Sequence, residues 1–170
     1  MRVSRGYRLA ALLAVLGSAC PAAILGQTVG ELALNAGLAS GLGANGRSAA
    51  AAVNASFSFI AGEFFSLGPE VQYVAGDQRM TGYAGVVRLR LQSSGLRPYL
   101  VGSLGGYSWR EVFKEADLFS GSIGIGAHLG SRRQPTLFAL EARYHRSLQR
   151  YMEGENFTFF TLTGGMRFRW

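Results

Sequence analysis

Two carboxylates and five guanidiniums recur at positions where this chain alternates between polar and apolar residues: Glu70, Arg88, Arg90, Glu141, Arg143, Arg167 and Arg169. Their immediate neighbours include Val71, Leu89, Leu140, Ala142 and Phe168, so each charge falls on one face of an extended strand and an apolar residue on the other. Charges collected on the same side of paired strands can neutralise one another as an ion-pair network, or they can line a path for ions. A narrow enclosure favours the network, because an unpartnered buried ion is heavily penalised. Arginine outnumbers glutamate in this set, which leaves the pairing incomplete. Ordered water, His145 or carboxylates from loops are the candidates to complete it.

Eight period-two segments would position these charges, each close to the roughly 9–11 residues that a tilted membrane strand requires. In residues 31–40, Leu32, Leu34, Ala36 and Leu38 oppose Glu31 and Asn35; in 50–60, Val53, Ala55, Phe57 and Phe59 oppose Asn54, Ser56 and Ser58. Residues 65–75 set Leu67, Val71 and Tyr73 against Ser66, Glu70 and Gln72, and 82–92 set Val87, Leu89 and Leu91 against Arg88 and Arg90. The segment 98–109 is rich in Gly and Tyr, and polarity does not distinguish its faces. In 119–130, Ile123, Ile125, Ala127 and Leu129 oppose Ser122, Gly124, Gly126 and His128; in 137–148, Phe138, Leu140, Ala142 and Tyr144 oppose Glu141, Arg143 and His145.

The eighth segment closes the sequence. Phe160, Leu162, Met166, Phe168 and Trp170 share one face, and Thr161, Thr163, Arg167 and Arg169 the other. In water an aromatic terminal strand of this kind would be an aggregation edge, whereas in a closed barrel its apolar face meets lipid. The expected fold is therefore all-β: an eight-stranded antiparallel up-and-down transmembrane β-barrel whose lumen is filled by side chains, since eight strands enclose only enough room for them.

Connections alternate in length. Residues 62–64, 93–97 and 131–135 are short or turn-rich and suit periplasmic turns, while 41–49, 76–81, 110–118 and 149–156 would face outward. Arg79, Arg110, Lys114, Arg146 and Arg150 lie in or beside the outer set and could meet lipopolysaccharide phosphates. Glu111, Glu115, Asp117, Glu153 and Glu155 share these segments, so a solvated rim is the simpler reading. Tyr73, Tyr83, Trp109, Tyr144, Tyr151 and Trp170 are candidates for interfacial aromatic belts.

The beginning of the chain carries Arg2, Arg5 and Arg8, then an apolar run from Leu9 to Leu16 and small residues from Ala22 to Gly26. This is the pattern of a secretory leader, expected to be cleaved after Gly26, and its apolar run is too short to span a bilayer as a helix. Cys20 could suggest a lipid anchor, but Gly17 occupies the position where such signals carry Leu. Residues 27–170 would then form one domain without cysteine, so neither disulfides nor thiolate metal sites are available to it, and no metal or cofactor is expected. Removing the leader lowers the formal charge from +7 to +4, because three arginines leave and all 10 acidic residues stay. A secretion leader also argues against a nucleic-acid partner.

The stretches SLGPEVQYV (66–74), GLRPYLVGSLGGYSW (95–109), LEARYHRSL (140–148) and TLTGGMRFRW (161–170) resemble those of small outer-membrane β-barrel domain proteins of the OmpA/OmpX type. The resemblance covers essentially the whole mature chain. It implies an outer-membrane location, and it implies that Phe160, Leu162, Met166, Phe168 and Trp170 form the signal read by the barrel-assembly machinery, with periplasmic chaperones acting before insertion. Trp170 replaces the more usual terminal Phe. A monomer in contact with outer-membrane lipid and lipopolysaccharide follows, with a structural or cell-surface interaction role, no open pore and no catalytic residue.

Two alternatives remain. Outer-membrane lipid A deacylases use a His-x-Ser pair near the end of the seventh strand, followed by a Glu; His145, Ser147 and Glu155 imitate that spacing, so that a hydroxyl, its general base and an orienting carboxylate would converge. The Asn-Ala that follows the serine in those enzymes is Leu148-Gln149 here, and the alternation turns His145 inward. The other alternative is a pore for small solutes or ions, which a lumen crowded with charge would conduct poorly.

Overall fold

The computed structural model describes residues 29–42, 48–62, 64–76, 79–91, 96–111, 114–130, 134–149 and 156–170; the expected leader, 1–26, lies outside them. Eight strands follow in chain order: β1 (Val29–Leu42), β2 (Ser48–Ala61), β3 (Phe65–Ala75), β4 (Arg79–Arg90), β5 (Arg97–Glu111), β6 (Lys114–Leu129), β7 (Thr136–Ser147) and β8 (Thr158–Arg169). Each pairs antiparallel with the next, and β8 returns to β1 to close the barrel. Closure removes the sheet edges that the terminal aromatic strand would otherwise expose.

Alternation along each strand decides what faces where. Leu34, Leu38, Val71, Ile123, Ile125, Leu140, Phe160 and Leu162 project from the outer wall, with Ile123 at 68% and Leu162 at 61% exposure. Cross-strand neighbours reinforce the apolar wall: Leu34 stands opposite Met166, and Leu38 opposite Leu162, across the β1–β8 seam. So large an apolar surface fits lipid and not water. Residues of the opposite parity, including Glu31, Ser58, Glu70, Arg88, His128, Glu141, His145 and Arg167, are buried inside.

The seam has its own clasp. Gly30 and Trp170 exchange two backbone hydrogen bonds of 3.2 Å, and the Trp170 indole lies over Gly30, where a Cβ would collide with it. The ring continues to Phe57 on β2, with centroids 5.8 Å apart. The terminal tryptophan thus covers β1 and touches the strand beyond it.

Several sequence expectations need correction. The segment 110–118, expected as an outer loop, is mostly paired strand, because β5 runs to Glu111 and β6 begins at Lys114 with Glu111 opposite Lys114. Likewise β4 starts at Arg79, so residues 79–81 of the expected loop 76–81 are strand. β1 extends past the expected bend to Leu42 by means of a register shift between Ser40 and Leu42, where Gly41 takes φ +88°. The face of β5 that composition left open is now assigned: Tyr99, Val101, Ser103, Tyr107 and Trp109 are buried inside, while Leu100 and Leu104 are exposed outside. Trp109 is therefore no belt residue. Tyr73, Tyr83 and Trp170 do face outward, and Tyr151 lies outside the described residues.

Candidate functional site

The lumen is stratified. At the end where both described chain termini lie, all seven predicted charges meet in one network, joined by an eighth that charge counting overlooked, Glu31. The alternation sets Glu31 on the inward face of its strand, but nothing in the local pattern joins it to the cluster. Only the closure of β8 against β1, which puts Glu31 opposite Arg169, brings it there.

Two tiers can be distinguished. In the inner tier Arg143 grips Glu70 with both terminal nitrogens, at 2.6 and 2.7 Å, and reaches Glu141 through Nε at 2.6 Å. This two-pronged contact is the strong form of carboxylate recognition by arginine. Arg88, wholly buried, donates to Ser58 and Ser56 at 3.2 Å, to Glu70 at 3.3 Å and to Glu141 at 3.4 Å. Two guanidiniums and two carboxylates balance here. In the outer tier, toward the mouth, Glu31 alone accepts from Arg169 at 2.7 Å, Arg167 at 2.9 Å and Arg90 at 3.1 Å.

Arg167 links the tiers. Its second terminal nitrogen donates to the Tyr99 hydroxyl at 2.9 Å and to Glu141 at 3.2 Å, while the Tyr99 hydroxyl donates to Glu141 at 2.8 Å. The Tyr99 ring stacks on His128 at 4.6 Å and lies 5.1 Å from the Arg167 guanidinium carbon. Room for this ring comes from Gly126 on the neighbouring strand, where a Cβ would strike it. Composition hid Tyr99 because the faces of β5 were undecided; the glycine opposite it was the available signal, since glycine inside a strand marks a close approach.

Above the charges lies a neutral polar layer. Asn35 donates to Asn54 at 2.6 Å. Tyr107 donates to Gln72 at 3.0 Å, and the two ring nitrogens of His145 face the hydroxyls of Tyr107 at 2.9 Å and Thr161 at 3.0 Å. His145 also stacks on Phe159, with centroids 4.3 Å apart and planes 8° apart. It therefore does not complete the ion network through its nitrogens, which are committed to hydroxyls.

Ser147 is occupied separately. Its hydroxyl donates to the Gln149 carbonyl and accepts from the Phe157 amide, both at 2.9 Å, tying together the two ends of the β7–β8 connection. Thus the His145–Ser147 spacing does not produce a hydroxyl hydrogen-bonded to its base. Both side chains point into the barrel and are buried, away from the lipid-facing wall. Glu155, the third member of that pattern, lies outside the described residues.

The far end of the lumen is apolar, which the charge-centred reading missed. Ala39, Ala50, Ala52, Val74, Met80, Tyr107, Trp109, Leu118 and Phe159 form one buried cluster, with Phe157 packed against it. Trp109 and Phe157 rings lie 4.8 Å apart, and Phe157 and Phe159 5.6 Å apart. These residues continue the inward parity of their strands, so extending the alternation beyond the polar stretch would have found them. Among the described residues no cluster of His, Cys, Asp and Glu has the makings of a metal site.

No family model matches the chain, and no curated protein matches it. Solved structures do. The N-terminal β-barrel domain of Pseudomonas aeruginosa OprF is similar with a TM-score of 0.60 and 12% identity, over 84% of this chain and 97% of that one. Neisserial surface protein A is similar with a TM-score of 0.58 and 12% identity, again over 84% and 97%. At such identities the likeness is one of fold, and the fold is that of the small eight-stranded outer-membrane barrels of the OmpA/OmpX type.

Proposed function

We propose that this protein is an integral outer-membrane barrel, closed to solutes, with a structural or surface-interaction role and no hydrolytic one. The observation that carries this reading is the filling of the lumen along its length: an ion network, a neutral polar layer and an apolar plug follow one another behind a lipid-compatible wall. Nothing in such a stack favours passage of an ion. A permeant charge would have to displace paired charges at one end and cross Trp109, Phe157 and Phe159 at the other.

In this reading both ends of the mature chain face the periplasm, a leader of residues 1–26 directs export, and β8 with its outward Phe160, Leu162, Met166, Phe168 and Trp170 is the stretch that assembly factors recognise after periplasmic chaperones deliver the chain. Lipid and lipopolysaccharide surround a monomer. Any partner docks at the far rim, where Arg79 and Arg146 belong.

Cell fractionation with heat-modifiable gel mobility should place folded protein in the outer membrane, and purified barrel in planar bilayers should give no steady current. Recovery of the protein from the cytosol would end the membrane reading. Stable open-channel currents would end the closed one. Replacing the far-side loops should abolish any surface binding while leaving the barrel folded.

A further inference from the structure

The excess positive charge of the lumen is not spread evenly. In the inner tier Arg88 and Arg143 face Glu70 and Glu141, whereas at the mouth Arg90, Arg167 and Arg169 share the single carboxylate of Glu31. Arg167 also reaches Glu141, but that carboxylate already serves Arg143 and Arg88. The mouth tier thus holds two positive charges that no carboxylate among the described residues balances.

A second, independent observation falls in the same place. Every one of these three guanidiniums keeps a buried nitrogen without a hydrogen-bond partner: Nε of Arg90, Nε of Arg167 and one terminal nitrogen of Arg169. Nε2 of His128, buried behind Tyr99 at the same end, is also unpartnered. The three arginines are held close together because all of them converge on the two oxygens of Glu31. Arg97, at the same rim, spends one guanidinium nitrogen on the Gly130 carbonyl. By contrast, the inner-tier guanidiniums of Arg88 and Arg143 leave no nitrogen unpartnered.

Water can satisfy a lone donor but cannot neutralise charge. A small oxyanion does both, since its several acceptor oxygens match guanidinium N–H groups and its charge opposes theirs. Access exists, because the Arg90 and Arg169 side chains are 12% and 16% exposed while Glu31 and Arg167 beneath them are closed off. We infer that the mouth of the lumen at the chain-terminal end is a binding site for a small soluble oxyanion of the phosphate or sulfate class, seated on Arg90 and Arg169, with the charge of Arg167 behind them beside Glu31. The site lies inside the barrel wall, so its ligand comes from the aqueous phase and not from a lipid headgroup.

The test uses the folded full barrel in a maltoside detergent, which has no phosphate of its own, with inorganic phosphate titrated at constant ionic strength and followed by calorimetry. Saturable uptake of one phosphate per barrel is expected. Arg169→Gln and Arg90→Gln, each checked for folding by heat-modifiable mobility, should each weaken it about tenfold or more, the loss of one charge-assisted hydrogen bond. Arg79→Gln, at the opposite rim, removes the same charge and should leave uptake unchanged. Absence of saturation, or equal weakening by Arg79→Gln, would overturn the site in favour of diffuse attraction to a basic protein. Phosphatidylglycerol added to the micelles should not compete. Displacement by that lipid would move the phosphate to the lipid-facing rim and equally overturn the inference.

Discussion

Arg167 and Glu31 meet at 2.9 Å although 136 positions separate them in the chain. The contact crosses the β1–β8 seam one step diagonally from the backbone pair Glu31–Arg169, so the same carboxylate holds two arginines of the last strand and one of β4. Side-chain pairing thus reports barrel closure directly: it exists only when the two ends of the sheet have found each other.

Replacing Glu31 should therefore be costly. Glu31→Gln keeps the shape but leaves three guanidiniums sharing a neutral amide, and stranding buried charge typically costs about 3–5 kcal/mol. Urea unfolding in lipid vesicles should show a midpoint clearly lower than that of the parent. Adding Arg167→Met to Glu31→Gln should recover part of the loss, because the stranded charge leaves with it. A midpoint unmoved by Glu31→Gln would mean that water compensates the arginines and that the carboxylate is dispensable.

Tyr99 supplies the second expectation. Its hydroxyl both donates to Glu141 and accepts from Arg167 in a closed environment. Tyr99→Phe deletes the hydroxyl while leaving the ring stacked on His128 and fitted over Gly126. The expected loss is about 1–3 kcal/mol, set by the unsatisfied partners left behind. Equilibrium unfolding measures it. Gly126→Ala should act on the same pair from the other side by pushing the ring away from Glu141, and the two changes combined should fall short of their sum.

Much of this architecture was legible because a strand has a period of two and a membrane barrel makes that period chemically visible. β7 displayed it fully: Phe138, Leu140 and Tyr144 against Glu141, Arg143 and His145. Where both faces are similar the signal fails. β5 has Gly on either parity and Leu100 beside Val101, so Tyr99 and Trp109 could not be assigned, and Trp109 looked suited to a membrane interface when it belongs to the lumen plug. Outer loops were overestimated because the β5–β6 hairpin carries charged residues past the apolar belt, and charge there marks emergence from the lipid and not the end of pairing. Glu31 was read on the correct face, but its role depends on closure, a relation between the two ends of the chain that no local pattern encodes. The mouth-tier imbalance and the His145 and Ser147 partnerships required coordinates of side chains.

The outer wall gives a third expectation. Leu162 is 61% exposed on the wall, opposite Leu38 near the middle of β8. Leu162→Arg would place a charge against hydrocarbon, at a cost of about 2–4 kcal/mol near the bilayer midplane. Thr163→Arg tests the other face, since Thr163 is buried in the lumen and the added bulk must enter a filled space. Unfolding of both variants in vesicles should show loss of stability, but only Leu162→Arg should be relieved in bilayers thin enough for the arginine to reach the interface. Equal behaviour of the two variants across bilayer thicknesses would contradict the assignment of faces.

Ser147 distinguishes structure from catalysis. Its hydroxyl holds the Phe157 amide and the Gln149 carbonyl, so it fastens the β7–β8 connection and carries Phe157 onto the apolar plug. His145, two residues earlier on the same inward face, spends its nitrogens on Tyr107 and Thr161. Ser147→Ala should then cost about 1 kcal/mol, the net worth of an ordinary hydrogen bond. Mass analysis of lipid A from outer membranes should be identical with the parent, with Ser147→Ala and without the protein. Acyl-chain loss that appears with the parent and vanishes with Ser147→Ala would instead require Ser147 to leave its backbone partners and turn to lipid, and would make this barrel a hydrolase.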